Sequence, residues 1–102
     1  MPKQLLEISF KFNIPREEYE AAACDLANAF ANVPGLQWKV WTLNEQDKEA
    51  GGVYLFEDES SLQTFLASDL AAQVKNHPAF SELSAKPYEV LEEPTRTCRG
   101  PV

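Results

Sequence analysis

The chain has 102 residues, 44% hydrophobic and 25% charged, with a formal net charge of -7. This length suits one domain with a single core. The acidic balance argues against nucleic-acid binding, which needs clustered Lys and Arg, because the lysines here are scattered singly. No apolar run approaches the ~20 residues of a membrane span, and the N-terminus lacks the layout of a secretory signal. We therefore expect a soluble, cytoplasmic protein with no membrane partner.

The first predicted elements are a strand and a helix. In residues 4–12 the even positions from Leu6 to Phe12 are apolar and the odd positions are mostly polar. This period of two is typical of a strand with one buried face. A helix is predicted from Pro15 to about Asn32, because Pro suits a first helical turn and apolar residues recur at spacings of three and four.

An aromatic β-hairpin is predicted next, with strands at 36–43 and about 50–57 and a polar loop between them. Both strands are apolar on both faces, so one layer of helices cannot bury them. Trp38 and Trp41 fall on opposite faces, and alternation alone leaves open which of them faces the helices. The Gly51-Gly52 pair indicates a bulge or a close approach by another backbone or a ligand.

The C-terminal half predicts two short helices and a strand. Asp58 is a suitable N-cap for the first helix, and Ser68-Asp69 is expected to interrupt its apolar stripe and begin the second. A last strand is predicted at 84–92, where Pro87 indicates an edge position. Residues 93–102 are predicted to be a tail.

The order β-α-β-β-α-β predicts an α+β fold, the ferredoxin-like sandwich, as a single domain with a core at about 4–92. Helices cover one side of such a sheet, and the other side here still carries large apolar residues. Such a patch associates, so we predict a homodimer through the sheet faces. Cys24 and Cys98 have no metal-ligand spacing with the single histidine. We expect two reduced thiols and no metal site.

A signature similar to that of the YdhR-type mono-oxygenases is found in GLQWKVWTLNEQDKEAGGVYLFEDESSLQTFL, most specifically in W-K-V-W-T and E-A-G-G-V-Y-L-F. The resemblance covers roughly residues 4–92. It implies a member of the dimeric α+β barrel group, which also contains antibiotic-biosynthesis mono-oxygenases and haem-degrading enzymes. It further implies a homodimer with a pocket between sheet and helices in each protomer. Relatives oxidise polycyclic phenols with oxygen and no flavin, haem or metal, so the resemblance implies no cofactor.

Three functional hypotheses follow from these features. The first is a cofactor-independent mono-oxygenase that oxidises a small phenol- or quinol-type aromatic with O2. The second is a non-catalytic dimer that binds a small hydrophobic molecule. The third is haem binding or degradation.

The candidate catalytic residues are Lys39, Tyr54 and His77. A partly buried lysine beside aromatics can have a lowered pKa and hold a substrate anion, although pairing of Lys39 with Glu7 or Glu49 is the alternative. Tyr54 is a donor for a phenolate. His77 is the only residue that ordinarily titrates near neutrality. It is a candidate for a general base or a haem ligand, and the alternative is an exposed loop residue.

Six further residues are candidates for substrate binding: Asn13, Trp38, Trp41, Phe56, Phe65 and Tyr88. The aromatic side chains would form the walls of a cleft for a flat substrate, with Tyr88 as a further donor to a phenolate and Asn13 to orient a carbonyl. The alternative is that the aromatic residues belong to the core or the dimer interface, and that Asn13 caps a helix.

Overall fold

A four-stranded antiparallel sheet carries helices on one face in the computed structural model, which describes residues 2–102. The elements are β1 (Gln4–Phe12), α1 (Arg16–Ala31), β2 (Leu36–Asn44), β3 (Glu49–Phe56), α2 (Glu59–Leu66), α3 (Asp69–Lys75), β4 (Phe80–Glu89) and α4 (Glu92–Thr97). The strand order β2-β3-β1-β4 confirms the predicted ferredoxin-like βαββαβ fold. Across residues 2–102 we find no helix of the length and apolarity that membrane crossing requires.

The helices begin where the sequence provides caps. The Asp58 carboxylate and the Ser68 hydroxyl each accept a backbone N–H from the first turn of α2 and α3, at 2.8 and 3.2 Å. Both N-caps were predicted, and each stabilises its helix by about 1 kcal/mol. α1 begins after Pro15 without a side-chain cap, so Asn13 does not serve as one.

The core lies between the helices and the face of the sheet that they cover, which we call the inner face. Its buried side chains come from β1, β3, α1 and α2. They are Leu6, Ile8, Phe10, Phe12, Tyr19, Phe30, Ala50, Tyr54, Phe56, Leu62 and Phe65. The even positions of β1 from Leu6 to Phe12 are all buried, as alternation predicts, and burial of each large side chain contributes about 1.5–3 kcal/mol.

The uncovered side of the sheet, the outer face, carries a second apolar row. The register aligns one residue from each strand: Trp38, Leu55, Leu5 and Tyr88. Leu55 is 0% exposed although it does not belong to the core cluster, whereas Val40 and Tyr88 are 54% and 43% exposed. The outer face therefore combines a small buried centre with an exposed apolar margin.

The C-terminal residues reach this outer face. The indole Nε1–H of Trp38 donates a hydrogen bond to the carbonyl of Pro101 at 2.8 Å. Residues 93–102 were predicted as a tail, but they include most of α4. α4 tolerates Pro94 because a first helical turn needs no backbone donor there, and Glu92 and Glu93 suit the positive end of its dipole.

The boundaries predicted for the last strand are wrong at both ends. β4 begins at Phe80 and ends at Glu89, where 84–92 was predicted. Glu82 has a positive φ of 53° and lies in a bulge of β4 opposite β1. This bulge breaks the alternation on which the prediction rested. β4 is an edge strand, which confirms the position predicted from Pro87.

A second bulge, in β2, decides where the tryptophans point. Leu36 pairs with Phe56, but Trp38 already pairs with Leu55, so the register shifts at the residue between them. Leu36 therefore faces the helices and Trp38 faces outward, whereas strict alternation placed the two on one face. Trp41 faces the helices and meets the Phe30 ring edge-on at 5.3 Å.

Candidate active site

Lys39 lies on the inner face of β2 with its amine among three aromatic rings. Nζ is 3.3 Å from the ring centroid of Trp41, 3.4 Å from that of Phe30 and 4.6 Å from that of Tyr54. We call this arrangement the aromatic cage. A cation over such ring faces gains about 0.5–2 kcal/mol.

Burial lowers the pKa of Lys39 from 10.5 to about 7. Within residues 2–102 no carboxylate pairs with this amine, because Glu49 instead pairs with Lys11 at 3.4 Å and Glu7 lies on the outer face opposite Val53. The predicted alternative of a Lys39 ion pair is therefore wrong. Ring faces favour the cation and burial favours the free amine. Lys39 can thus exchange a proton near neutral pH, as a general base must.

Two glycines make room for this arrangement. A Cβ at Gly52 would lie 2.8 Å from Cε of Lys39, and a Cβ at Gly51 would lie 1.9 Å from the backbone oxygen of Ile8. The predicted close approach by another backbone is confirmed at Gly51, whereas the nearest neighbour at Gly52 is a side chain, which was not predicted.

A small cavity adjoins the cage, and two tyrosines line it. Its volume of about 20 Å³ is enough for about one water. Tyr19 and Tyr54 are 5% and 2% exposed, and neither hydroxyl has a hydrogen-bond partner in the described part of the chain. Burial raises the pKa of both phenols, and a charge on Tyr19 would raise that of Tyr54 further. Both phenols therefore remain protonated at neutral pH and can donate to an anion.

Three larger spaces share walls with this cavity. A cleft of about 340 Å³ between the sheet and the helices α2 and α3, here the α2–α3 cleft, shares Tyr54 and Val74. A groove of about 420 Å³ between α1 and β2, here the α1–β2 groove, shares Tyr19, Ala23 and Trp41. A third cleft of about 290 Å³, also between α1 and β2, shares Phe30, Lys39 and Trp41. Lys39 therefore lines both the cavity and this third cleft.

The structure brings together some of the residues predicted for the site. Lys39, Trp41 and Tyr54 line the cavity, and Phe65 lines the α2–α3 cleft beside Tyr54. Phe56 is 0% exposed and stacks near Tyr54 at 6.2 Å, so it supports the cage from within the core.

The remaining predicted residues lie away from the cavity. Trp38 and Tyr88 are on the outer face, and Asn13 is exposed after β1. Nδ1 of His77 accepts the Ala79 N–H at 3.1 Å, and its ring stacks on Phe80 at 4.3 Å. His77 therefore stands behind one wall of the cavity and gives no support to the haem hypothesis. Among residues 2–102 no group of three His, Cys, Asp or Glu side chains is placed to hold a metal.

Sequence reasoning missed two members of the site, Tyr19 and Phe30, which were assigned only to the apolar stripe of the first helix. A signal was present, because they are the only aromatic residues in a helix rich in alanine. Small neighbours leave space beside a large ring, and a hydroxyl on a buried stripe needs a partner or a ligand.

The chain belongs to the family described as "Putative mono-oxygenase ydhR", whose model matches residues 5–101. This match confirms the resemblance found in the sequence. A comparison with curated proteins gave no match.

Solved structures share the fold at low sequence identity. SnoaB, a cofactor-independent oxygenase from Streptomyces nogalater, aligns with a TM-score of 0.70 and 16% identity over 91% of this chain and 100% of its own. A Caulobacter crescentus protein described as a putative antibiotic biosynthesis monooxygenase aligns with a TM-score of 0.71 and 18% identity. The alignment covers 89% of this chain and 92% of the Caulobacter chain. A hydroxynitrile lyase from Passiflora edulis aligns with a TM-score of 0.66 and 14% identity, over 90% of this chain and 97% of the lyase chain. Because a lyase shares the fold, the fold alone does not define the reaction.

Proposed function

We propose that this protein is a cofactor-independent mono-oxygenase that oxidises a small phenol- or quinol-type aromatic with O2. The observation that carries the proposal is the uncompensated Lys39 amine, whose pKa is about 7, beside two protonated tyrosines. Membership in the mono-oxygenase family and the fold shared with SnoaB support it. The cage belongs to the chain itself, whereas the fold alone would allow other reactions.

The reaction begins with proton transfer from the substrate to Nζ of Lys39. The resulting ammonium stays beside the substrate anion, and the hydroxyls of Tyr19 and Tyr54 donate hydrogen bonds to its oxygen. The electron-rich anion then passes an electron to O2, and recombination gives a hydroperoxide that loses water. The Lys39 ammonium returns its proton to the peroxide anion. For a phenol whose keto tautomer carries a CH2 group, as in anthrone, that CH2 group and O2 become a carbonyl and water overall, so the substrate supplies every electron.

Oxygen uptake tests this proposal directly. Purified, metal-free protein is incubated with anthrone-type phenols, and the Lys39→Met variant is expected to lower the rate by about 100-fold or more, the usual contribution of a general base. The matched control is Lys86→Met, which removes a lysine from the edge strand β4. No uptake across the panel, or an equal rate in Lys39→Met, would contradict the proposal.

A non-catalytic binding protein is the second candidate. In the described residues no hydrogen bond joins Lys39 to either tyrosine, an arrangement that suits a binding cage as well as a base. Native mass spectrometry would then detect a small aromatic molecule retained through purification. Binding that survives without oxygen uptake would favour this candidate over the first.

We also propose that two copies associate through their outer faces. The exposed apolar margin at Val40 and Tyr88 supports this, since a stable dimer buries about 800 Å² on each partner. Val40→Asp is expected to shift the sedimentation coefficient from dimer to monomer. The control is Leu91→Asp, because Leu91 is 69% exposed but lies beyond the sheet. Equal behaviour of the two variants would argue against this interface.

A further inference from the structure

The cavity beside Lys39 is too small for any aromatic ligand. Its volume of about 20 Å³ compares with the 300–1,000 Å³ typical of small-molecule sites. Within this cavity a wall must therefore move before a phenol can lie beside the amine. The walls differ in how firmly the structure holds them.

Tyr54 and Phe30 are the firmly held walls. Each is 2% exposed, and each has several aromatic neighbours. The ring centroid of Tyr54 is 6.2 Å from that of Phe56 and 5.3 Å from that of Phe65. The ring centroids of Phe30 and Phe65 are 6.0 Å apart. Moving either ring would disturb close packing on more than one side.

Trp41 is the loosely held wall. It is half-buried on the edge strand β2, and its single aromatic stacking partner is Phe30 within the described residues. It lines the cavity, the α1–β2 groove and a third cleft of about 290 Å³. A rotation of its indole would join the cavity to the groove without opening the core.

We infer that the α1–β2 groove is the ligand entrance and that Trp41 is its gate, admitting an uncharged planar aromatic to Lys39. This inference rests on the site of the proposed function but not on turnover. The indole and the Tyr19 ring offer flat apolar surfaces on which a planar ligand stacks.

The rim of the groove explains why the ligand is uncharged. Arg16 pairs with both Glu20 and Glu45 at 2.9 Å, so this cluster of one cation and two anions is net negative. An approaching anion is disfavoured there. A neutral phenol passes the rim and loses its proton only inside, at Lys39.

Indole signals of ¹⁵N-labelled protein test the gate. The chain has two tryptophans, and a Trp38→Phe variant assigns their Nε1–H peaks. Titration with 2-naphthol is expected to shift the Trp41 peak until it saturates. The Trp38 peak should not move, since Trp38 is hydrogen-bonded to Pro101 on the outer face. Anionic 2-naphthoate should bind about tenfold more weakly or worse. No shift of Trp41 at saturating 2-naphthol, or equal binding of the two probes, overturns the inference.

The two cysteines provide a matched blocking experiment, because both are free and exposed and only Cys24 lines the groove. A Cys98→Ser protein modified with N-benzylmaleimide carries the bulky group at Cys24, and its Kd for 2-naphthol should rise about tenfold or more. In a Cys24→Ser protein, modification of Cys98 should leave the Kd for 2-naphthol equal to that of the same protein before modification. Unchanged binding after Cys24 modification would overturn the groove as the entrance and leave the α2–α3 cleft and the third cleft. Binding that Cys24 blocks, without oxygen uptake, would refute the proposed activity while the entrance stands.

Discussion

The two faces of the sheet use the same strands and differ in what covers them. The inner face is buried by helices that follow directly in the chain, and its aromatic side chains close around Lys39. On the outer face Trp38 donates a hydrogen bond to the C-terminal segment and Leu55 is buried, but Val40 stays 54% exposed. Local helices therefore complete one face within the protomer, while the other face leaves apolar area for association.

The faces also differ in how they treat charge. On the outer face Glu7 stands opposite Lys86 in the register, and both side chains are exposed to water. On the inner face the Lys39 amine is buried without an anion. Water and opposite charge compensate the outer pair, whereas the uncompensated amine keeps a chemical reactivity that the outer lysine lacks.

The largest expected difference between the faces is at adjacent glycines. Gly51→Ala should destabilise the protein by at least about 3 kcal/mol, because its Cβ would meet the immovable backbone oxygen of Ile8 at 1.9 Å. Gly52→Ala should cost about 1 kcal/mol, because the flexible end of Lys39 can shift away. Urea unfolding measures both changes. Equal costs would show that the backbone at Gly51 relaxes.

A pair of buried leucines tests whether the outer face has a core of its own. Leu55 on the outer face and Leu62 in α2 are both 0% exposed, so each change to Ala should cost about 2–4 kcal/mol. Deleting residues 99–102 should reduce the cost at Leu55 and leave that at Leu62 unchanged. A cost below about 1 kcal/mol at Leu55 would mean that its cover is weak in solution.

Lys39→Met should stabilise the protein at pH 7 although it lowers the proposed oxygen uptake. The folded pKa of about 7 lies below the unfolded value of 10.5, so between these values the unfolded state binds more protons. The stability of the unsubstituted protein therefore rises with pH across this window. We expect Lys39→Met to gain about 1–3 kcal/mol at pH 7, after allowance for partial solvent access, and nothing above pH 10.5.

Urea unfolding at pH 7 and pH 10.5 provides this measurement. Tyrosines titrate in both proteins, so their contribution cancels in the difference. Lys86→Met serves as the control, and its difference from the parent should not change with pH. If the difference in unfolding free energy between Lys39→Met and the parent is the same at both pH values, the folded state does not lower the pKa of the Lys39 amine.

The smallest expected effect concerns the two tryptophans. Trp38→Phe removes the hydrogen bond to the Pro101 carbonyl and should cost about 1 kcal/mol. Trypsin should then cut faster after Arg96 and Arg99, because the C-terminal segment is less well held. Trp41→Phe should leave this cleavage unchanged. Equal cleavage of the two variants would show that the segment does not depend on Trp38.

Much of the fold could be predicted from local patterns. The order of elements follows from alternation in β1, and the Asp58 and Ser68 caps mark where helices begin. These signals act between residues close in sequence. The α4 helix was missed because Pro94 normally ends structure, and its tolerance in a first turn shows only in the folded chain.

The site was less predictable because it depends on register and on distant neighbours. Lys39 and Tyr54 were chosen for their chemistry, and the structure places both at the cavity. The bulge between Leu36 and Trp38 shifts one residue relative to β3, which alternation cannot detect. Tyr19 joins the site only because α1 crosses the sheet there.

The irregularities of the edge strands also determine how the protein can aggregate. β2 carries the bulge after Leu36, and β4 carries Pro87 and the kink at Glu82. An incoming strand needs a regular row of donors and acceptors, and bulges and proline remove it. Both ends of the sheet thus resist extension into a fibre, and the proposed contact between outer faces is a closed one that adds no strand to the sheet.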